Sequence, residues 1–259
     1  MNSPGRVFLM FHELQLPGRS LCRLEEGYAR YCVAEGDFRA QLRRMKERGL
    51  RGISVSQALS QPERPGTVIT FDDGCETDLI SAAPALQQYS FDATFYITIE
   101  FIGQSGFLSV SQLRALSDLG FEIGSHSRTH AYLPDLPLTD AQRELQESKD
   151  SLEQIIGRPV KHFSCPGGRW NATLAALARD IGYTSVATSR RAINPPGADP
   201  FSLARIGVMR GTNLSRFDDI CQGKGLRLAR CRDFGTALAK RTLGNVAYDK
   251  FRSVLLGDS

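Results

Sequence analysis

The stretch Val68-Ile69-Thr70-Phe71-Asp72-Asp73-Gly74 largely decides how this chain folds. Four consecutive apolar or β-branched residues are typical of a strand that is buried on both faces, as in a parallel sheet. The two aspartates and the glycine that follow mark the point where this strand ends. Aspartate and glycine are also common in ordinary turns, so Asp-Asp-Gly alone does not identify a functional site.

Similar apolar runs alternate with amphipathic helical patterns on both sides of this stretch. The alternation predicts an α/β fold, in which six or seven parallel strands joined by helices form a barrel or an open doubly wound sheet. The predicted strands are Val7–Phe11, Val68–Phe71, Ala93–Ile97, Phe121–Gly124, Val160–Phe163, Tyr183–Ala187 and Leu203–Val208. The predicted helices are Asp37–Arg48, Thr77–Tyr89, Val110–Leu119, Asp140–Ile156 and Thr173–Asp180. Their predicted N-caps are Ser109 and Thr139, and their predicted C-terminal glycines are Gly49, Gly120, Gly157 and Gly182.

The composition excludes several classes of protein. The chain has 259 residues, of which 41% are hydrophobic and 23% charged, as in ordinary globular proteins. Its net charge of +4 is too small to indicate a nucleic-acid partner. No apolar run approaches the roughly 18 residues of a membrane span. The six cysteines form no Cys-x-x-Cys pair, so we expect reduced thiols in a cytoplasmic protein.

The C-terminal part of the chain differs from the rest. We expect residues 1–220 to form the catalytic domain and residues 221–259 to form a basic amphipathic helical extension. From Gln222 to Arg252 there are eight Lys or Arg and two Asp, a net charge of +6. Such a helix either docks on the domain with its charges in water or contacts an anionic partner, for example an acidic membrane surface at the inner membrane face.

Two further segments place reactive side chains after predicted strands. These segments are Ser125–His130 and Ser164–Trp170. Since the carboxyl ends of parallel strands share one edge, their side chains are expected to lie near the aspartate pair. His126 and His130 are four residues apart, which would place both rings on one side of a helical turn, a spacing suited to metal chelation. Helix-capping or surface histidines are the alternative for this pair alone.

Two neutral imidazoles and one carboxylate suit a divalent ion of the zinc type and leave coordination positions open. Two adjacent carboxylates near one ion would repel each other, unless one binds the ion and the other accepts a proton. These residues therefore predict hydrolysis of an amide or ester, with one aspartate as ligand and the other as general base.

Three motifs, in this order, resemble the first three motifs of the NodB-homology polysaccharide deacetylases. They are Thr70–Gly74, Ser125–His130 and the Pro-x-Gly loop at Pro166, and the resemblance covers roughly residues 5 to 210. It implies a distorted (β/α) barrel that binds a divalent metal, Zn²⁺ first, with Co²⁺, Ni²⁺ or Mn²⁺ as alternatives. It also implies hydrolysis of acetyl groups, chiefly N-acetyl and therefore at a C–N bond, from a polysaccharide, oligosaccharide or glycan precursor.

The resemblance also implies roles for individual residues. Asp72 would be the catalytic base, and Asp73, His126 and His130 would bind the metal.

The groove loop of this family corresponds to Pro166, Gly167 and Gly168, and the Gly167 N–H would help to hold the oxyanion. Trp170, the single tryptophan, would stack on a sugar ring or serve in the core or in a lid.

The chain departs from the family pattern at two functional positions. The third motif usually opens with an arginine that orients the catalytic aspartate, but here the residue is Ser164, so this group is either lost or replaced by Arg169 or Arg205. The family's last motif supplies a histidine as general acid, but no histidine follows His162. No Asp-Trp motif is found either.

His12 offers a substitute for the missing general acid. It follows the first predicted strand, which lies beside the last strand in a closed or nearly closed barrel, and some relatives are circularly permuted with a histidine near the N-terminus. We hypothesise that His12 protonates the departing amine; a strand-end histidine with only local hydrogen bonds is the alternative. Core roles are predicted for His162, Cys75 and Cys165, although the two cysteines could also serve as soft metal ligands.

Two other functions stay open. The first is a catalytically weakened relative that binds carbohydrate, and the second is an amidase that acts on a non-glycan C–N substrate. The sequence identifies neither the substrate nor the oligomeric state.

Overall fold

The strand before the two aspartates lies inside a parallel sheet in the computed structural model, which describes residues 5–23, 25–62 and 65–224. The strands are β1 (Phe8–Phe11), β2 (Leu14–Gln15), β3 (Val33–Ala34), β4 (Gly52–Ile53), β5 (Thr67–Phe71), β6 (Thr94–Ile97), β7 (Glu122–Ser125), β8 (His162–Ser164), β9 (Ser185–Ala187) and β10 (Ile206–Gly207). The α-helices are α1 (Glu26–Ala29), α2 (Glu35–Glu47), α3 (Val55–Ser60), α4 (Ala83–Gln88), α5 (Val110–Asp118), α6 (Leu138–Ile156), α7 (Ala172–Ile181) and α8 (Leu214–Cys221).

Eight of the described strands form one curled parallel sheet, in which seven lie side by side in one path. Their order is β10-β1-β5-β6-β7-β8-β9, and β4 pairs with the start of β5. A parallel bridge between Ala187 and Leu203 brings the end of β9 close to the segment that leads into β10. The distorted (β/α) barrel with six or seven parallel strands is thus confirmed, and β1 pairs with the last strand, β10.

Alternation along the strands gives the sheet two buried faces, each with its own hydrophobic cluster. Phe11, Phe71 and Phe95 are register partners on β1, β5 and β6, and neighbouring rings stack with centroids 5.3 and 4.9 Å apart. Phe38 of α2 packs edge-on against the first two rings. Since successive side chains of a strand point to opposite faces, Thr70 lies on the opposite, inner face of the barrel.

The seven predicted strands are all present, with small shifts at their ends. The predicted C-terminal glycines Gly49, Gly120, Gly157 and Gly182 all have positive φ. Ser109 caps α5 in a capping box with Gln112. The predicted cap at Thr139 is wrong: α6 begins two residues earlier, because the carbonyl of Pro137 accepts the first helical hydrogen bond, from the Ala141 N–H at 2.9 Å.

The predicted helix Thr77–Tyr89 is present but irregular. It begins with a π-helical turn, Asp78–Ala82, and continues as α4. Among the described residues, no helix is both long and apolar enough to cross a membrane. The predicted basic extension lies outside the described residues, apart from residues 221–224.

Candidate active site

One carboxylate and two imidazoles converge at the carboxyl edge of the sheet. Nε2 of His126 and Nε2 of His130 each lie 3.4 Å from Oδ1 of Asp73. One ligand atom from each of the three residues lies within 4.8 Å of the others. Asp73 and His126 are buried, whereas His130 is partly exposed, so the cluster can be reached from one side.

The two histidines meet through a loop and not through a helical turn, so that part of the prediction is wrong. Ser127 and His130 have positive φ values of 70° and 66°. The His130 N–H donates to the Ser127 hydroxyl at 3.0 Å. Glu144 of α6 accepts from the backbone N–H and the hydroxyl of Thr129, each at 2.9 Å. These bonds hold a tight loop that turns the His130 ring back towards His126.

The protonation of His126 suits a metal ligand. Its Nδ1 lies 2.9 Å from the Ser164 carbonyl oxygen, which only accepts hydrogen bonds, so Nδ1 carries the proton and the lone pair on Nε2 faces Asp73. Burial lowers the pKa of His126 to about 4, so the ring is neutral at pH 7.

The oxygen between the two rings lacks a hydrogen-bond partner within the described part of the chain. Among these residues Oδ1 of Asp73 is buried and unpartnered, although buried carboxylate oxygens are normally satisfied. A divalent cation would satisfy this oxygen and the Nε2 lone pair of His126 together. The donor set therefore fits a borderline-soft divalent ion such as Zn²⁺.

The neighbouring carboxylate is held by a different group. Nη1 and Nη2 of Arg205 each donate to one Asp72 oxygen at 2.7 Å. The same guanidinium donates to Ser164 Oγ at 2.7 Å and to Thr70 Oγ1 at 3.1 Å, and its Nε donates to the Thr188 carbonyl at 3.0 Å. Arg205 is completely buried, so this fork fixes the plane of the Asp72 carboxylate.

Of the two arginines considered from the sequence, the structure therefore places Arg205 at the aspartate. Arg169 instead pairs with Asp135 at 2.9 Å and covers the ring of Tyr132. Burial alone would raise the pKa of Asp72, but the Arg205 charge and hydrogen bonds outweigh it and hold that pKa below its ordinary value. Asp72 is thus an ionised hydrogen-bond acceptor near neutral pH.

His12 is brought to the same edge of the sheet. Phe11 pairs with Phe71, and the Asp72 N–H donates to the Phe11 carbonyl at 3.0 Å, so His12 follows its strand beside the aspartates. Its ring lies against Tyr31 at 4.8 Å, and its Nδ1 is buried without a hydrogen-bond partner.

The loop from Pro166 to Gly168 is a tight turn that requires glycine. Gly167 and Gly168 have φ values of 60° and 67°. A Cβ at 167 would lie 2.6 Å from the Tyr132 ring, and one at 168 would lie 2.3 Å from Ser189. Two residues further on, Trp170 is 38% exposed, and its indole N–H donates to a backbone carbonyl at 2.7 Å. The structure thus holds Trp170 at the surface beside this loop.

Sequence reasoning did not single out Tyr132 or Glu144. Tyr132 is 42% exposed beside the glycine turn, and its position two residues after His130 was the available signal. Glu144 gives no signal in the sequence, because it acts from the middle of a helix. His162 is packed as predicted: it is buried at the amino end of β8, and its ring nitrogens lie 2.8 Å from the hydroxyls of Ser56 and Ser185.

A parallel barrel with this cluster at its carboxyl edge defines an α/β protein with a candidate divalent-metal centre and a separately held carboxylate. Residues 60–186 match the family model described as polysaccharide deacetylase. The resemblance to the NodB-homology polysaccharide deacetylases that the motifs predicted is thus confirmed over these residues.

Relatives of known sequence and structure support this assignment. YxkH of Bacillus subtilis, named as a polysaccharide deacetylase, is 26% identical over 191 residues, which are 71% of this chain and 68% of that protein. A deacetylase from Streptococcus pyogenes, solved with acetate, superposes with a TM-score of 0.74 at 24% identity, over 84% of this chain and 98% of that one. IcaB from Ammonifex degensii gives a TM-score of 0.71 at 21% identity, over 86% and 97%. These structures share the fold.

Proposed function

We propose that this protein is a divalent-metal-dependent hydrolase that removes acetyl groups from a polysaccharide, oligosaccharide or glycan precursor. N-acetyl groups are the preferred type in this proposal. The observation that supports the proposal most directly is that two adjacent aspartates have different partners. Ligand atoms of Asp73, His126 and His130 converge, whereas both carboxylate oxygens of Asp72 accept hydrogen bonds from Arg205. This is the arrangement that metal-assisted hydrolysis with a separate base requires.

Asp73, His126 and His130 would hold the cation, Zn²⁺ first by the chemistry of the donor set. When bound, such a cation polarises the acyl carbonyl and acidifies water. The tautomer of His126 is already fixed by the Ser164 carbonyl, so its Nε2 requires no rearrangement to bind.

Asp72 would accept the proton of the attacking water at a carboxylate oxygen. Its pKa below the ordinary value keeps it ionised, and the Arg205 fork keeps its carboxylate in one plane. Because the arginine is anchored at Thr188 as well, it holds Asp72 Oδ2 at 4.0 Å from Nε2 of His126, beside the proposed cation site. Arg205 thereby takes over the orienting role that the family gives to the residue at the position of Ser164.

His12 would give a proton to the departing amine. Its place at the end of β1, next to the aspartates, supports this role, since no histidine follows His162 in the chain. The Gly167 N–H, in a turn that leaves no space for a side chain, would donate to the oxyanion as the carbonyl is attacked.

Two exposed aromatic side chains flank the glycine turn and would bind the sugar. Tyr132 and Trp170 are 42% and 38% exposed. The Arg169 guanidinium lies over one face of the Tyr132 ring, and the indole N–H bond of Trp170 fixes the other side chain. Rigid aromatic faces of this kind stack on the apolar face of a pyranose ring. The Streptococcus pyogenes deacetylase was solved in complex with acetate, which is the product that this reaction would release.

The test is acetate release from N-acetylglucosamine oligomers. We expect turnover that a chelator abolishes and that Zn²⁺ or Co²⁺ restores. The Asp72→Asn variant should keep its metal and lose turnover, and Asp180→Asn, at an exposed aspartate, is the matched control that should keep both. Metal binding without acetate release from any acetylated sugar, but with release from a simple amide, would overturn the glycan assignment. Sugar binding without any turnover would show that the protein binds carbohydrate but does not hydrolyse it, as in the alternative of a catalytically weakened relative.

A further inference from the structure

A second cluster of potential ligands lies behind the aspartate pair. A carboxylate oxygen of Glu13 and the Sγ atoms of Cys22 and Cys75 all lie within 4.8 Å of one another. They come from separate places in the chain: the residue after His12, the loop that follows β2, and the residue after Asp-Asp-Gly. None of the three belongs to the site proposed above.

The cluster is closed to solvent on most sides. Glu13 and Cys75 are 1% and 0% exposed, and Cys22 is partly buried. Their neighbours orient them: the Cys22 N–H donates to the two Glu13 oxygens at 2.9 and 3.1 Å, and the Tyr28 hydroxyl lies 3.2 Å from Cys75 Sγ. The Cys22 thiol also donates to the Gly106 carbonyl at 2.9 Å, so hydrogen bonds to the surrounding protein fix the positions of all three ligand side chains.

A buried carboxylate beside the cluster lacks a partner among the described residues. Asp78 is completely buried, and within the described part of the chain neither of its carboxylate oxygens has a hydrogen-bond partner. Its backbone N–H donates to the Cys75 carbonyl at 2.9 Å, which places Asp78 next to this ligand. A divalent ion bound by Glu13, Cys22 and Cys75 would therefore lie close to a carboxylate that still lacks a partner.

We propose that Glu13, Cys22 and Cys75 bind a second, thiophilic divalent cation of the zinc type, with Asp78 as the adjacent acceptor that the cation or its water satisfies. Thiolate and carboxylate ligands at about 2.3 and 2.0–2.2 Å from zinc are separated by less than the 4.8 Å limit found here. Because Glu13 follows His12 and Cys75 comes two residues after Asp73, this cation would tie the loop after β1 to the aspartate turn.

The test is a count of bound metal, which does not depend on activity. We expect the full chain loaded with Zn²⁺ to hold two equivalents, Cys22→Ser one, and Asp73→Asn one. Cys221→Ser is the matched control, since Cys221 lies on α8, away from the cluster, and it should hold two. With Co²⁺, the thiolate charge-transfer absorption should persist in Asp73→Asn and vanish in Cys22→Ser.

A second measurement uses the wild-type protein, so it does not depend on whether a variant folds. Zn²⁺ should slow the alkylation of Cys22 by iodoacetamide and leave that of Cys221 unchanged. One equivalent in the wild type that Cys22→Ser retains, no thiolate band, or a Cys22–Cys75 disulfide in the zinc-loaded protein would each overturn the proposal. Loss of the Asp73 equivalent alone would instead count against the proposed function, so the two failures are distinguishable.

Discussion

Replacement of Arg205 by alanine perturbs the site at one defined interaction. The guanidinium is completely buried and makes two 2.7 Å bonds with Asp72, together with bonds to Ser164, Thr70 and Thr188. Without it, the buried Asp72 carboxylate would keep the Ser164 hydroxyl, at 3.3 and 3.4 Å, as its one side-chain hydrogen-bond donor among the described residues, with the neutral His126 ring 4.0 Å away. The perturbation therefore creates an uncompensated buried charge and leaves the aspartate free to turn.

Its magnitude follows from the burial of the pair. Removal of one partner of a buried ion pair costs about 3–5 kcal/mol, and we expect this loss in the free energy of unfolding measured by urea denaturation at pH 7. Arg143→Ala is the matched control, because its pair with Asp140 is largely exposed and worth about 0.5 kcal/mol or less. Since Asp72 would no longer be held as a base, kcat for acetate release should fall about 10²- to 10⁴-fold.

Two further variants separate orientation from simple loss of stability. Arg205→Lys keeps the charge but loses the two-point bond, so kcat should fall while much of the stability remains. The double variant Asp72→Asn/Arg205→Ala should lose less unfolding free energy than the sum of the losses in the two single variants. Each single change already breaks the pair, so the second change removes no further interaction between them. A variant Arg205→Ala with unfolding free energy within about 1 kcal/mol of wild type and with full activity would refute this reasoning.

Four other perturbations test separate parts of the account. His12→Ala should lower kcat about 10²-fold or more with metal content unchanged, measured by acetate release and elemental analysis. Asp73→Asn should lose the catalytic equivalent of metal, measured by the same elemental analysis. Gly168→Ala should destabilise the chain by more than about 1 kcal/mol in urea, because its φ is 67° and a Cβ would meet Ser189 at 2.3 Å. Glu122→Gln should lower stability at pH 7 by up to about 3 kcal/mol, because contacts with His162 hold the pKa of Glu122 at about 2 despite its burial.

The sign of the Glu122 effect can be checked by titration. Its pKa is lowered in the folded state, so its contribution is complete above the ordinary carboxylate range and is lost as the pH falls towards 2. The difference between wild type and Glu122→Gln should therefore shrink from pH 7 to pH 3, and a difference that grows on acidification would contradict it. Full activity in His12→Ala would contradict its role as proton donor, and a full metal complement in Asp73→Asn would contradict its role as ligand. Wild-type stability in Gly168→Ala would contradict the requirement for glycine in this turn.

The sequence predicts the strands and the active-site edge well, because both depend on local signals. Buried parallel strands appear in the sequence as continuous apolar runs. The residues that follow such strands share one edge of the sheet, so the sequence alone predicts that Asp73, His126 and His130 lie together. Short elements such as β2 and β4 have two residues each and show no periodicity to detect. The left-handed residues of the histidine loop depend on tertiary bonds to Glu144, so spacing alone suggested a helical turn that is absent.

Long-range side-chain partners are the part that the sequence leaves open. Both Arg169 and Arg205 could have replaced the family's arginine, and only the position of β10 beside β1 places Arg205 against Asp72. Likewise, Cys22 and Cys75 are 53 positions apart in the chain, and their approach depends on how the loop after β2 folds back.

The central claim is that one aspartate and two histidines share a divalent cation while the adjacent aspartate stays with its arginine. A crystal structure of the zinc-loaded protein, with the ion located by anomalous scattering, tests it most directly. We predict an ion about 2.0–2.2 Å from Asp73 Oδ1 and from Nε2 of His126 and His130, with Asp72 still on Arg205. An ion bound through Asp72, or histidines turned away from a common point, would contradict the account.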